Sequence, residues 1–271
     1  MKNKILFVLV THSNYMDICS CFIEMFMKNF SSQAQVEFII SYCGEPQNIK
    51  NFETLYNGKD ASLPECLYNV ANSVEADLYF SFLGDAFICE KVNNQEFEEL
   101  IINLINDKIE YCCLIPRKRN IFSKKTPPLG SNYYRLISYD DIYCHSFIAF
   151  CATKEFILNE FNNGITDFEF ENKYLKAAKN KGFYDRRAIL RKNVLNIIPG
   201  IQKGKWDRKC YKNLCKQSVN IFRNNRKVLT RLETIKNYII LFLQPIIPYT
   251  LRTRIKKMLT KLKIIKFSTE N

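Results

Sequence analysis

The sequence predicts an α/β fold, a doubly wound sheet flanked by helices that runs into a basic helical C-terminal extension. Three observations lead there. Short β-prone apolar runs alternate with longer stretches of helical spacing. The early runs are apolar without interruption, as strands covered by helices on both faces are. Positive charge is gathered at one end: residues 201–271 hold 18 Lys and Arg against 3 Asp and Glu, while the whole chain carries +13, so residues 1–200 are close to neutral. With 271 residues, 47% of them apolar, there is material for one large continuous core.

The elements follow in order. KILFVLV (4–10) reads as a strand, THSN as a turn, and Tyr15, Ile18, Cys19, Phe22, Ile23, Phe26, Met27 and Phe30 as the buried face of a helix. VEFIISY (36–42) is a second strand, which makes the helix a parallel crossover. LPECLYNVANSV reads as a helix leading into DLYFSFLGDAF (77–87), an apolar strand that stops on Gly84 and Asp85. A further helix spans 93–106, with Asn93 and Glu96 spaced as a capping box, and EYCCLIP is the next strand. Residues 117–134, with two prolines, a glycine and several lysines and arginines, have the composition of a mobile loop. CHSFIAFCA is a later strand, TDFEFENKYLKAAKNKG a helix stopped at Gly182, and VLNIIPG a last strand. From Gly204 onward the pattern is basic and helical.

Composition also excludes. The opening MKNKILFVLVTHSN turns polar after a strand's length, which argues against a secretory leader. The 11 cysteines are odd in number, scattered through apolar runs and never spaced C-x-x-C, so they read as small buried hydrophobes in a reducing compartment. His12 and His145, the only histidines, have no acid or cysteine at a metal-ligand spacing and read as satisfied or solvated side chains. No nucleophile elbow, phosphate loop or dinucleotide fingerprint is present.

Three constellations can carry chemistry. Asp85 stands where a buried strand surfaces, the end at which open α/β sheets bind ligands. It serves either as a solvated turn residue or as an oxygen ligand for a divalent cation on a nucleotide's phosphates. In GITDFEFENKY, Thr166 and Glu169 form a capping box, while Asp167 and Glu171 lie four apart on one helical face, where one can act as a general base and the other tune or orient it. In GIQKGKWDRK (200–209), two glycines free the backbone and Lys203 and Lys205 offer charge to phosphate; the alternative is a basic turn with Trp206 packed at the domain edge.

Taken in order, VTHSN after the first strand, NGKD (57–60), EADLYFSFLGDAFI, CHSFIAFCATKEFIL, TDFEFE and the closing GKW resemble the bacterial GT-A type glycosyltransferases of capsule, O-antigen and lipopolysaccharide synthesis. The resemblance covers about residues 4–206. It implies a GT-A-like, Rossmann-type mixed sheet flanked by helices, a nucleotide-sugar donor bound by its first half and a glycan acceptor, often lipid-linked, received by its second. Thr11, Ser13 and Asp60 then resemble donor contacts, and Asp85 the surviving acid of the family's metal-binding aspartate motif, which here has Gly84 where a second acid is usual. Asp167, Glu169 and Glu171 resemble the acidic cluster from which a catalytic base is drawn, with Asp167 favoured. Lys203, Lys205 or an arginine of the 117–119 loop would assist the departing diphosphate, and the cofactor implied is Mn or Mg.

The domain boundaries expected on this reading are 1–206 for the catalytic domain and 207–271 for the extension. In the latter, Leu251, Ile255, Met258, Leu259, Leu262 and Ile265 fall on one helical face amid lysines and arginines, the pattern of a helix in an anionic membrane interface. YIILFLQPIIPY before it is too short and too broken by proline to span a bilayer. It is either a shallow anchor or a segment packed on the domain. The expected location is therefore peripheral, at the cytoplasmic face of the membrane. No nucleic-acid partner is expected, since the tail lacks interleaved aromatics. Two other readings stay open: nucleotidyl transfer onto a sugar phosphate, against which the absence of a glycine-rich basic loop after the first strand speaks, and a non-enzymatic basic binding module, which leaves the acids without a task.

Overall fold

The computed structural model describes residues 3–31, 36–119, 121, 126–127, 129, 131–141, 144–162, 164–177, 182–221, 226–243, 246–247, 251 and 254. Its centre is an eight-stranded mixed sheet. β1 (Ile5–His12), β2 (Val36–Cys43), β3 (Glu53–Tyr56) and β4 (Leu78–Leu83) form a parallel half in the order β3-β2-β1-β4. β8 (Ala149–Ala152) pairs antiparallel with β4 and leads into β6 (Tyr111–Cys113), β9 (Phe183–Leu190) and β7 (Tyr134–Ser138). Two short ladders stand apart from it. β5 (Ala86–Ile88) pairs with β10 (Ile197–Pro199), and β11 (Ile201–Gln202) pairs with β12 (Lys205–Trp206).

Alternation along β1 explains the two layers. Ile5, Phe7 and Leu9 face α1 (Met16–Asn29) and α3 (Asn94–Asn106), in a core that includes Phe22, Phe26, Phe97 and Leu100. Leu6, Val8 and Val10 face the other way, toward α2 (Leu63–Ser73), α4 (Lys154–Glu160) and α5 (Asp167–Ala177), whose Leu67, Val70, Phe156 and Phe170 are buried there. Both faces are covered, so β1 is apolar at every position from Ile5 to Val10 rather than at alternate ones. Helix starts follow local chemistry: Ser62 accepts from the Glu65 N–H and Glu65 reaches back to the Ser62 N–H, with Pro64 in the first turn. None of the eleven cysteines is in a disulfide, and ten of them are buried.

The predicted α/β mixed sheet is the fold observed. Two details differ. VLNIIPG supplies β10, which joins β5 instead of the main sheet, because β5 leaves the sheet immediately after Asp85. Nor does the core stop at Trp206: α6 (Arg208–Lys216) buries Cys210 and Leu214, and Val219 belongs to the same cluster as β1. The Gln217 side chain bridges the Asn29 amide and the Cys89 carbonyl, so this segment is pinned from both sides. The early part of the expected extension is thus core-bearing. α7 (Arg231–Leu243) follows it. Apart from Leu251, the apolar face expected over 251–265 lies outside the described residues, as do residues 120, 122–125, 128 and 130 of the expected loop.

Candidate functional site

Strand order changes direction between β1 and β4, and the chain opens a crevice beyond their carboxyl ends. Val10 pairs with Leu83, so the next residues on each strand, Thr11 and Gly84, stand side by side. A Cβ on Gly84 would come within 3.2 Å of Thr11 Oγ1, so glycine keeps this floor open. Thr11 is buried, its hydroxyl has no protein partner, and it lines a cavity of about 380 Å³. His12, Tyr15, Asp85, Asp167, Lys203 and Gly204 share that lining.

Asp85 has a rigid mount. Its carbonyl accepts from the Gly200 N–H at 2.6 Å, and β5 and β10 carry the pairing onward. Gly200 is itself required, since a Cβ there would lie 2.3 Å from the Phe87 ring. Burial raises the Asp85 carboxyl to about 6, although its own N–H, the Ile201 N–H and the charge of Arg226 all pull the other way. A carboxylate held this way is short of positive charge.

Lys203 and Gly204, with φ of 51° and 74°, form the two-residue turn of the β11–β12 hairpin, which projects Lys203 into the cavity wall. Arg226 arrives from the segment after α6: its guanidinium lies over the Tyr15 ring, 5.0 Å from the centroid, and Nε meets Asp17 Oδ2 at 3.4 Å. A cation from 209 residues beyond Asp17 therefore edges the cavity.

The structure brings Thr11, Asp85, Asp167 and Lys203 together on one cavity, and places the other candidate site residues, Ser13, Asp60, Glu169, Glu171 and Lys205, outside its lining. Glu169 is exposed and forms the capping box read from the sequence: both its carboxylate and its N–H are engaged with Thr166, and that binding holds its carboxyl below the usual range. Glu171 turns inward, accepts from Ser146 Oγ at 3.0 Å and the Phe147 N–H at 3.2 Å, and burial raises it, with the Asp167 charge adding to the effect. The Lys205 ammonium bonds Glu233 at 2.5 Å. Ser13 Oγ accepts from the Glu45 N–H beside the cavity, and Asp60 is exposed outside its lining. Trp206 is buried in the main core, its ring 5.8 Å from that of Phe87, and not packed at a domain edge.

Of the two histidines, His12 meets the expectation of a satisfied side chain and His145 departs from it. His12 lines the cavity, with Nδ1 accepting from the Asn14 N–H. His145 is neither satisfied nor solvated: it is buried and stacked on Tyr174 at 3.7 Å, and Nε2 has no partner. Burial, then the nearby Arg187 and Lys173 charges, push it well below the ordinary histidine range, so it is a neutral aromatic plate rather than a base. Tyr15, His12 and Arg226 were not singled out in the sequence as site residues. Tyr15 was assigned to the buried helical face, and no local signal around Arg226 betrays its placement.

Among the described residues no three His, Cys, Asp or Glu side chains group as a metal cage. Asp85 can offer one oxygen to a hard cation. That fits an ion that takes its other ligands from phosphate and water, as magnesium-type ions do.

No family model matches the chain, and no curated protein matches it. Solved structures do resemble it. S. aureus TarS aligns with 89% of this chain and 43% of its own at 11% identity and a TM-score of 0.48. TarS 1–349 in complex with UDP-GlcNAc aligns over 89% and 72% at 10% identity and 0.48. A cytidylyltransferase from Leptospira borgpetersenii serovar Hardjo-bovis aligns over 98% and 99% at 13% identity and 0.38. The chain spans about half the length of the first two TarS structures it resembles, 58% of one and 43% of the other. These are likenesses of outline.

Proposed function

We propose that the chain is a glycosyltransferase that moves a sugar from a nucleotide-sugar donor to a hydroxyl of a glycan acceptor in surface polysaccharide synthesis. The observation that carries this reading is the meeting of Asp85 and Asp167, 82 positions apart, on one cavity with Lys203 and the unpartnered Thr11 hydroxyl. A binding module has no use for two carboxylates facing one cavity, whereas sugar transfer needs both of their chemistries.

The donor's diphosphate lies toward Asp85, Lys203 and Arg226. Asp85 would hold a magnesium- or manganese-type ion there, which supplies neutralisation of the departing diphosphate. Lys203 and Arg226 add fixed positive charge where negative charge grows as the bond from the anomeric carbon to the phosphate oxygen breaks. Thr11 Oγ1 donates to the donor at the cavity floor. Asp167, at the first residue of α5, takes the proton of the acceptor hydroxyl as its oxygen bonds the anomeric carbon. Glu171, one turn on and already bonded to Ser146 and Phe147, positions α5 rather than touching substrate.

The test is donor turnover. The purified chain is incubated with UDP-, GDP- and CMP-sugars, with manganese and then with chelator, and free nucleotide is measured. Release from one donor class, lost in Asp85→Ala and Asp167→Asn, supports the reading. Pyrophosphate release from a nucleoside triphosphate and a sugar phosphate, with no turnover of any nucleotide sugar, overturns it.

A further inference from the structure

α7 is amphipathic the wrong way round for a helix on a soluble surface. Its polar residues face the protein: Glu233 pairs with Lys205 and Asn237 Nδ2 donates to Gln202 Oε1 at 2.6 Å, both on the β11–β12 hairpin. Thr230 and Glu233 close its N-terminus as a reciprocal capping box, and the Lys205 ammonium, followed by those Thr230 bonds, holds the Glu233 carboxyl down to about 2. Apolar side chains look outward. Leu232, Ile235, Tyr238, Ile239 and Phe242 recur at the i, i+3, i+4, i+7 spacing of one face, with exposures from 53% to 79%. Surface helices bury such a stripe, and a contiguous exposed one marks a docking surface.

We infer that this outward face docks on an anionic lipid surface. The charge pattern selects that occupant. Between 244 and 271 the chain carries seven Lys and Arg and a single Glu, and Arg231 and Lys236 flank the apolar face on α7 itself. A second copy of the chain brought face to face would set two such cationic segments against each other. An anionic leaflet instead attracts each of them, by about 1 kcal/mol per Lys or Arg near the surface. Apolar area together with basic charge is what a helix lying in a bilayer interface requires. Among the described residues no helix is long and apolar enough to cross a membrane, so α7 lies on the surface.

The geometry has a consequence for the cavity. The hairpin gripped by Glu233 and Asn237 also supplies Ile201, Lys203 and Gly204 to the cavity wall. Lys118, five residues beyond the end of β6, places its ammonium 5.8 Å from the centroid of the Phe242 ring. Docking α7 on lipid therefore sets the cavity wall next to the membrane surface, where an amphiphilic acceptor resides. The lipid contact itself does not rest on the sugar-transfer reading, and either stands if the other falls.

Co-sedimentation of the full chain with vesicles tests this. Expected is pelleting with vesicles containing a third phosphatidylglycerol and at least tenfold weaker pelleting with pure phosphatidylcholine or in high salt. The double substitution Ile235→Asp and Phe242→Asp is expected to weaken anionic-vesicle binding at least tenfold while leaving the melting temperature unchanged, since both side chains are exposed. As a gentler probe, Phe242→Trp is expected to shift to shorter emission wavelength with anionic vesicles and to be quenched by lipids carrying a quencher on the acyl chain. Three results would overturn the inference: no pelleting with anionic vesicles at low salt, unchanged pelleting in the double variant together with no quenching of Trp at 242, or a lipid-free dimer that the double variant converts to monomer.

Discussion

Replacing Asp85 by Asn should make the protein more stable at neutral pH. Asp85 keeps its proton up to about 6 in the folded chain, against an ordinary value of 3.8, because burial disfavours the charged form. A folded-state value raised above the unfolded one gives a contribution that is complete below the unfolded value and lost as pH rises through the folded one. The difference of about 2 units corresponds to about 3 kcal/mol lost above pH 6 at about 1.36 kcal/mol per unit. Water entering the cavity screens the charge, which lowers the expected figure to about 1–3 kcal/mol. Asn keeps the acceptor for the Ile201 N–H and carries no charge, so the variant should gain that amount, or roughly 2–12 °C in melting temperature for a domain of this size. The assay is thermal and urea unfolding of both proteins from pH 4 to 8 in chelator-containing buffer. The two curves should meet near pH 4, separate through pH 5–6 and run parallel above. Equal stability at pH 7.5, or a less stable Asn variant, would refute the claim that Asp85 is a desolvated carboxylate held against its own preference, and with it the idea that the site waits for positive charge.

Other expectations follow from the same geometry. On the sugar-transfer reading, Asp167→Asn should lower kcat by about 10²–10⁴-fold with donor KM within about threefold, as loss of a general base does; steady-state kinetics with a saturating acceptor check this. Lys203→Ala should raise donor KM, whereas Lys205→Ala should leave it unchanged and cost at most about 1 kcal/mol of stability, because its exposed pair with Glu233 is a surface ion pair. Gly200→Ala should destabilise by about 1–3 kcal/mol, since the new methyl must displace the Phe87 ring from a packed core, and urea denaturation reads it directly. Manganese with a nucleoside diphosphate should raise the melting temperature of the parent chain and have a smaller effect on Asp85→Asn, a difference that differential scanning fluorimetry resolves.

Much of the architecture was legible in local pattern. Uninterrupted apolar strands, helical faces and the Asn93 and Thr166 caps are written in residues close together, and each forms where its spacing indicates. β7, β9 and α4 were harder to see: β9 carries Asp185, Arg186 and Arg187 in its middle, so it lacks a strand's apolar run. Arg187 is tolerated there because Glu110, Glu160 and the Tyr174 hydroxyl all bond it and aromatic rings surround it. Those partners come from three other elements, and no window of sequence contains them. The acids near position 169 show the same limit. Asp167, Glu169 and Glu171 look alike in the sequence, but helix geometry separates them into cavity, cap and interior.

The sequence by itself determined the layers, the sheet-forming runs and the position of Asp85 at a strand's end, since each depends on periodicity and on which residues solvate a chain end. The tertiary structure decided which polar groups share a cavity. Proximity of Thr11 to Gly84 is set by the register of β1 on β4, and that of Arg226 to Tyr15 by the docking of α6 on the core. It also decided that α7 turns its apolar side outward, because the polar grip of Glu233 and Asn237 on the hairpin, not the helix's own composition, chooses which face is covered.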